Sequence, residues 1–256
     1  MRYRISYWCA SHIGKLRKTN QDNFICDGKF MEADKNQKEI VMSGTKKSKE
    51  EVLFGIFDGM GGEECGEIAS YIAARNAEKL AISKDTVSQL KRFCQKTNDD
   101  ICRYIKENQL WSMGTTAAML AFTKKKIVLC NIGDSKIFRF HEGELEQISK
   151  DHVTPNAFGK KPLLSQNLGI PPTEFLIEPY LAEGEYDDDD RYLICSDGLS
   201  DMVTKEEITE ILNSKETDES GRELLKQALL KGGKDNISII LCEIKQESSY
   251  FWDFLR

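Results

Sequence analysis

Single aspartates stand where apolar, β-prone runs begin or end. Asp58 follows LFGIF, Asp134 follows IVLCNIG, Asp197 follows YLICS, Asp235 precedes NISIILCEI and Asp22 precedes NFIC. A strand end carries its side chain toward the mouth of a sheet. This placement therefore predicts carboxylates gathered at one rim, partly withdrawn from water and repelling one another. Such a cluster is unfavourable unless cations or hydrogen bonds neutralise it. Donors that are all oxygen select hard ions such as magnesium or manganese. Taken singly, an Asp-Gly at a strand end is also what an ordinary turn looks like. Five in one chain are the stronger signal.

The runs that carry these residues predict strands at Arg4–Trp8, Val52–Phe57, Thr116–Phe122, Ile127–Ile132, Ile137–Phe140, Tyr192–Cys195 and Ile237–Ile244. Two amphipathic helices are expected in the first half. One presents Ile68, Ala69, Ile72, Ala73 and Leu80 on one face, the other Val87, Leu90, Cys94, Ile101 and Ile105. In the second half, Thr204 and Glu207 form a capping box that opens a third helix, and a fourth covers about Arg222–Leu230. Helices fall in pairs between groups of strands, without regular βαβ alternation. That order predicts an α+β fold of mostly antiparallel sheets with helices outside. The Lys-rich segment Asp34–Glu51 reads as a hairpin tip or exposed loop, and Asp187–Asp190 as a solvated turn rather than a metal site.

Several function classes are disfavoured. Asp and Glu number 42 against 36 Lys and Arg, a net charge of −6, and no basic stripe invites nucleic acid. No apolar run approaches the roughly 20 residues that span a bilayer, and residues 1–18 have no signal-peptide core, so a cytoplasmic location is expected. The eight cysteines include no CxxC pair and read as buried free thiols in a reducing compartment. No GxxxxGK[ST] loop is present, which weighs against a nucleotide substrate.

The runs Arg17-Lys18-Thr19-Asn20-Gln21-Asp22, Phe54-Gly55-Ile56-Phe57-Asp58-Gly59-Met60-Gly61-Gly62, Met113-Gly114-Thr115-Thr116-Ala117, Asn131-Ile132-Gly133-Asp134-Ser135, Lys150-Asp151-His152, Ser196-Asp197-Gly198-Leu199-Ser200-Asp201 and Lys234-Asp235-Asn236-Ile237-Ser238 resemble, in order, the motifs of the metal-dependent serine/threonine protein phosphatases of the 2C type. They span Arg17 to Ile244, and the DGMGG form is similar to the bacterial branch. The resemblance implies a four-layer α-β-β-α sandwich of two antiparallel sheets flanked by helix pairs. It implies a single catalytic domain over residues 1–256, with a shortened flap at about 152–169 and a short aromatic tail at 248–256. It also implies roles. Asp58 would bridge two metals, with Gly59 lending its carbonyl to one and Asp197 and Asp235 completing the pair. Asp22 would hold its ion largely through water. Asp134 and Asp201, sharing Asp197, would hold a weaker third ion, and Arg17 would grip the substrate phosphate. Manganese or magnesium is the implied cofactor. Phosphorylated proteins, substrates of a cognate Ser/Thr kinase, are the implied partners of a monomeric enzyme without a membrane span.

Two departures stand out. Met60 replaces a histidine proposed to protonate the leaving group in eukaryotic relatives, and methionine has no proton to give. The flap, VTPNAFGKKPLLSQNL, is too short and too poor in large apolar residues for a helical subdomain. It therefore predicts a loop with no helix longer than about one turn. Other residues carry less. His152 and Asp151 read as structural, His12 and His141 as surface residues. Thr115 and Thr116 open a strand without a base beside them. Gly61 and Gly62 read as a close approach or turn before a helix whose first turn holds Glu63, Glu64 and Glu67. Two alternatives are a binding protein of the same fold that has lost its chemistry and a metal-dependent hydrolase of small phosphoesters. Loss of chemistry predicts missing ligands, and every matched aspartate is present.

Overall fold

A computed structural model describes residues 3–32, 38–47, 51–60, 65–83, 85–124, 126–155 and 162–247. The expectations for Gly61, Gly62, Glu63, Glu64, the middle of the flap at 156–161 and the aromatic tail lie outside them. In chain order the elements are β1 (Tyr3–His12), β2 (Asp22–Cys26), β3 (Glu39–Lys47), β4 (Val52–Met60), α1 (Gly66–Glu78), α2 (Thr86–Glu107), β5 (Gly114–Thr115), β6 (Ala117–Phe122), β7 (Lys126–Ile132), β8 (Lys136–His141), β9 (Glu144–Gln147), β10 (Tyr180–Glu185), β11 (Arg191–Cys195), α3 (Asp197–Ser200), α4 (Lys205–Ser214), α5 (Thr217–Leu230) and β12 (Ile237–Gln246).

Two antiparallel sheets stack face to face. The first has the order β3-β1-β12-β11-β8-β9 and the second β10-β7-β6-β4-β2, with the short β5 beside β4. Alternation along β1 shows how the layers form. Ile5, Tyr7 and Cys9 point into the core between the sheets, while Trp8 and Ala10 point outward into a second core beneath α4 and α5. A third core lies between the second sheet and α1 and α2. Strands buried on both faces, such as the VLFGIF start of β4, have to be apolar throughout. The result is the expected four-layer sandwich.

The structure corrects several details. Residues 39–47 form an edge strand, β3, paired with β1 from His12↔Glu39 to Arg4↔Lys47, rather than a loop. Its alternation of half-buried and exposed positions was present, but the surrounding segment is polar, and Lys46 and Lys47 end the strand with the kind of charge that protects edges from further pairing. Strands β2, β9 and β10 are too short or too polar to stand out, and α5 begins five residues before Arg222. The face of α1 is turned toward its small residues. Ala69, Ser70, Ala73, Ala74 and Ala77 are buried, and Ile68 and Ile72 flank them half-buried. Described flap residues form two bridges, Val153↔Leu164 and Leu168↔Thr115, and contain no helix.

The capping box is present. Thr204 Oγ1 accepts from Glu207 N at 3.3 Å, and Glu207 Oε2 accepts from Thr204 N at 2.9 Å. Thr204→Ala is therefore expected to lower stability by about 1 kcal/mol, measured by urea unfolding. All eight cysteines are free, six of them buried. Burial pushes the Cys195 thiol up to about 12, so it stays protonated and inert.

Candidate metal centre

The two sheets bring their carboxylates together at one rim. Asp22 opens β2 directly opposite Asp58 in β4. Asp197 follows β11 as the first residue of α3, and Asp235 stands just before β12. Asp134 lies in the turn between β7 and β8, where Gly133 takes a φ of +102°.

Asp22 is only 2% exposed. Ser196 Oγ donates to its Oδ2 at 2.9 Å, and Ser196 Oγ in turn accepts from Ser238 N at 3.0 Å. The other oxygen, Oδ1, is buried with no hydrogen-bond partner among the described residues. Burial pushes the Asp22 carboxyl up to about 7. Hydroxyl groups of Ser238 and Ser196 work against that rise, and repulsion from Asp197 and Asp235 adds to it. Asp58 is held well above the usual carboxylate range by withdrawal from water, then by repulsion from Asp22, Asp197, Asp134 and Asp235. Five carboxylates therefore share one field.

The backbone of Asp58 is clamped by two threonines. Its N–H donates to Thr116 Oγ1 at 3.0 Å, its carbonyl accepts from Thr116 N at 2.9 Å, and Thr115 Oγ1 donates to the same carbonyl at 3.0 Å. Thr116 Oγ1 and Ser135 Oγ are 2.7 Å apart. These threonines are positioning residues, a role that reading them as a strand opening missed, although they lie within a quoted motif. Next to Asp58, Gly59 leaves no room for a side chain. A Cβ there would lie 2.2 Å from the Gly66 carbonyl oxygen and 2.3 Å from that of Gln21.

Asn236 ties the N-terminal segment to this rim. Its Nδ2 donates to Ile13 O at 2.8 Å and Thr19 O at 3.1 Å, and its Oδ1 accepts from Gln21 N at 2.8 Å. The loop so held carries Arg17, whose Nη2 lies 2.5 Å from Asp235 Oδ2. That hydrogen bond raises the guanidinium pKa against the opposing effect of burial, and Asp235, Asp58 and Asp197 add attraction. The Arg17 side chain is still 47% exposed and open to a ligand.

His152 braces the turn that holds Asp134. Its N–H donates to Gly133 O at 2.9 Å, and its Nδ1 accepts from Gly133 N at 3.3 Å. Burial lowers its pKa, consistent with a neutral structural role. Asp201 sits one turn beyond Asp197, donating its N–H to Asp197 O at 2.8 Å, and is exposed.

Two surface assignments need correcting. His12 is half-buried, its Nδ1 accepting from Gly14 N at 2.8 Å. Within the turn Asp187–Asp190, the first three residues are exposed, but Asp190 is fully buried. Arg139, His141 and Tyr192 all bond it. His141, Asp187 and Asp190 bring three ligand atoms within 4.8 Å of one another. Arg139 bonds both aspartates there, so each already has a cationic partner without an ion.

The rim suits hard cations. It offers oxygen donors only, several carboxylates whose repulsion a cation would relieve, and a buried oxygen of Asp22 with no protein partner. A family model described as protein phosphatase 2C matches residues 41–231. The chain is 32% identical over 224 residues to the serine/threonine protein phosphatase PstP of Mycobacterium tuberculosis, covering 82% of this chain and 42% of that relative. It thus spans less than half the length of that protein. It is 30% identical over 250 residues to the serine/threonine phosphatase stp of Listeria monocytogenes, covering 90% of this chain and 92% of the relative. Among solved structures, the catalytic domain of PstP in complex with two manganese ions superimposes with a TM-score of 0.77. That pair is 29% identical, over 95% of this chain and all of the other.

Proposed function

The chain belongs to the protein phosphatase 2C family, and from that premise we propose that it is a metal-dependent phosphatase that hydrolyses phosphoserine and phosphothreonine on proteins. The observation that carries the reading is buried Asp22 directly opposite half-buried Asp58, with Asp197, Asp134 and Asp235 repelling Asp58 and an exposed Arg17 beside them. A site that gathers mutually repelling carboxylates beside a guanidinium suits divalent cations and a phosphate together.

In this reading Asp58, the Gly59 carbonyl, Asp197 and Asp235 would hold two manganese or magnesium ions, with Asp22 supporting one of them. Asp134 and Asp201, with Asp197, would hold a weaker third. Such ions lower the pKa of water and neutralise charge on a phosphate ester. The protein's own groups do the positioning. Thr115 and Thr116 fix Asp58, Ser196 orients Asp22, and Asn236 holds the loop of Arg17. The planar guanidinium of Arg17 matches two phosphate oxygens at once. Met60 has no proton to donate, so we assign protonation of the leaving alkoxide to water. The substrates are then targets of a Ser/Thr kinase met by a monomeric, single-domain enzyme in the cytoplasm. No helix among the described residues is long and apolar enough to cross a membrane.

Hydrolysis of a phosphothreonine peptide is expected to vanish in excess chelator and to return with manganese or magnesium. Full activity in the chelator would overturn the metal mechanism. Parallel assays on a nucleotide and on p-nitrophenyl phosphate separate a protein phosphatase from a hydrolase of small phosphoesters. For Arg17→Ala, the expected result is a KM raised more than kcat is lowered, because a phosphate grip acts on ground and transition states alike. An unchanged KM for phosphopeptides would remove Arg17 from the site.

A further inference from the structure

Helix α5 packs on β1 and β12 of the first sheet but leaves the outer face of the edge strand β3 open. A groove of about 340 Å³ runs along this margin. Its floor is Trp8 of β1 and Val41 of β3, which share a face because Ala10, two residues from Trp8, pairs directly with Val41. Its wall is α5, through Leu225 and Leu230. Gly221 lets the helix sit directly on the indole, since a Cβ there would lie 2.2 Å from Trp8 Cε3. Val41 is 39% exposed and Leu230 63% exposed, so apolar surface remains uncovered.

The rim is cationic. Lys15 and Arg222 make no ion pair among the described residues, whereas Lys226 leans on Glu223 at 3.3 Å and Glu39 is the one acid of the lining. Lys15 of this rim also stands two residues from Arg17. Lys15 donates its N–H to Gly233 O at 2.7 Å, and Gly14 is pressed against the carbonyl of Asp235. Arg17, two residues further on, bonds the Asp235 side chain. Two residues of chain span at most about 7 Å, so one short peptide reaches both places. A second groove, between α2 and residues 172–181, carries Lys91 against Asp99 and Glu178 and has no such net charge.

We infer that the groove between α5 and β3 receives an apolar side chain with an acidic neighbour, from the segment of a phosphoprotein that flanks the scissile phosphate. The inference rests on the phosphatase reading for the source of that segment. The apolar floor takes the side chain, and Lys15 and Arg222 meet the acid. A basic flank would face unfavourable charge there. With the flap short, this groove supplies the discrimination among substrates that the flap region lacks side chains to provide.

The test uses p-nitrophenyl phosphate and phosphothreonine peptides of equal length. One set carries Leu-Asp at two to four residues on either side of the phosphothreonine, and the other carries Gly-Ser there. Wild-type protein, Arg222→Glu and Val41→Trp are compared with manganese present. Expected is a KM about tenfold lower for the better-placed Leu-Asp peptide, the scale supplied by burying one apolar side chain. The advantage should be lost in both variants, with p-nitrophenyl phosphate turnover equal in all three proteins. Equal KM for the two sets in wild-type protein, or an advantage that survives both substitutions, overturns the groove. A protein that turns over none of these substrates overturns the phosphatase reading instead. The groove is then decided by fluorescence anisotropy of the same peptides, labelled. A Leu-Asp peptide must bind about tenfold tighter than its Gly-Ser partner in wild-type protein only, and equal binding overturns it.

Discussion

Asp58→Asn is expected to lower turnover of a phosphothreonine peptide by at least about a thousandfold, on the order of 4 kcal/mol in barrier, with the circular-dichroism spectrum unchanged. Amide and carboxylate are nearly the same size, and the backbone clamp on Asp58 from Thr115 and Thr116 does not involve the side chain. The fold therefore has no reason to move. What disappears is the charge at the centre of the cluster, on which Asp22, Asp197, Asp134 and Asp235 all act. Without it, cation affinity falls and water near the phosphate keeps its ordinary acidity. Isothermal titration with manganese should report the weakened binding directly. Near-normal turnover in a folded Asp58→Asn protein would remove Asp58 from the reaction.

Metal-free protein is expected to lose stability as pH rises from about 4 to about 7. Folding raises the Asp22 carboxyl from an ordinary 3.8 to about 7. Between those values the folded chain keeps a proton that the unfolded chain has released. Stability is therefore fully present below the lower value and is lost through the upper one. At about 1.4 kcal/mol per pH unit, Asp22 alone accounts for a loss on the order of 4 kcal/mol, and Asp58 adds in the same direction. His152, buried and held neutral, works the opposite way near its own titration. Comparison with Asp22→Asn isolates the carboxylate, because that variant should show a flatter profile. Urea unfolding in chelator at pH 5 and pH 8 measures the loss. Manganese should restore stability far more at pH 8, since a cation replaces the proton. Metal-free protein that is as stable at pH 8 as at pH 5, with a profile matching Asp22→Asn, would contradict this account.

The site was legible wherever chemistry and strand pattern coincide. An isolated aspartate at the end of an apolar run has few roles, and the structure brings Asp22, Asp58, Asp134, Asp197 and Asp235 into one electrostatic field as that pattern implied. Asp201 was less legible. Its sequence neighbourhood matches, but its position one turn along from Asp197 leaves it exposed. The supporting polar residues escaped notice for a physical reason. Thr116 and Asn236 act through backbone groups distant in sequence and Ser196 through the distant Asp22 carboxylate, and a hydroxyl or amide beside an apolar run gives no hint of its partner. Similarly, β3 was hidden because lysines on an edge strand look like a loop, and Asp190 because three exposed aspartates precede it.

Segments far apart in sequence meet at the functional rim. Arg17 and Asp235 are 218 positions apart, and Asn236 of the β12 entry holds the carbonyls of Ile13 and Thr19. β12 also lies inside the first sheet, between β1 and β11. β1 precedes β12 in the chain and must wait for it before its own sheet can close. Until then neither the carboxylate cluster nor the guanidinium beside it exists as a unit. Assembly of the rim and the pairing of β12 with β1 therefore coincide, which ties the speed of that assembly to the slow search that distant strand contacts require.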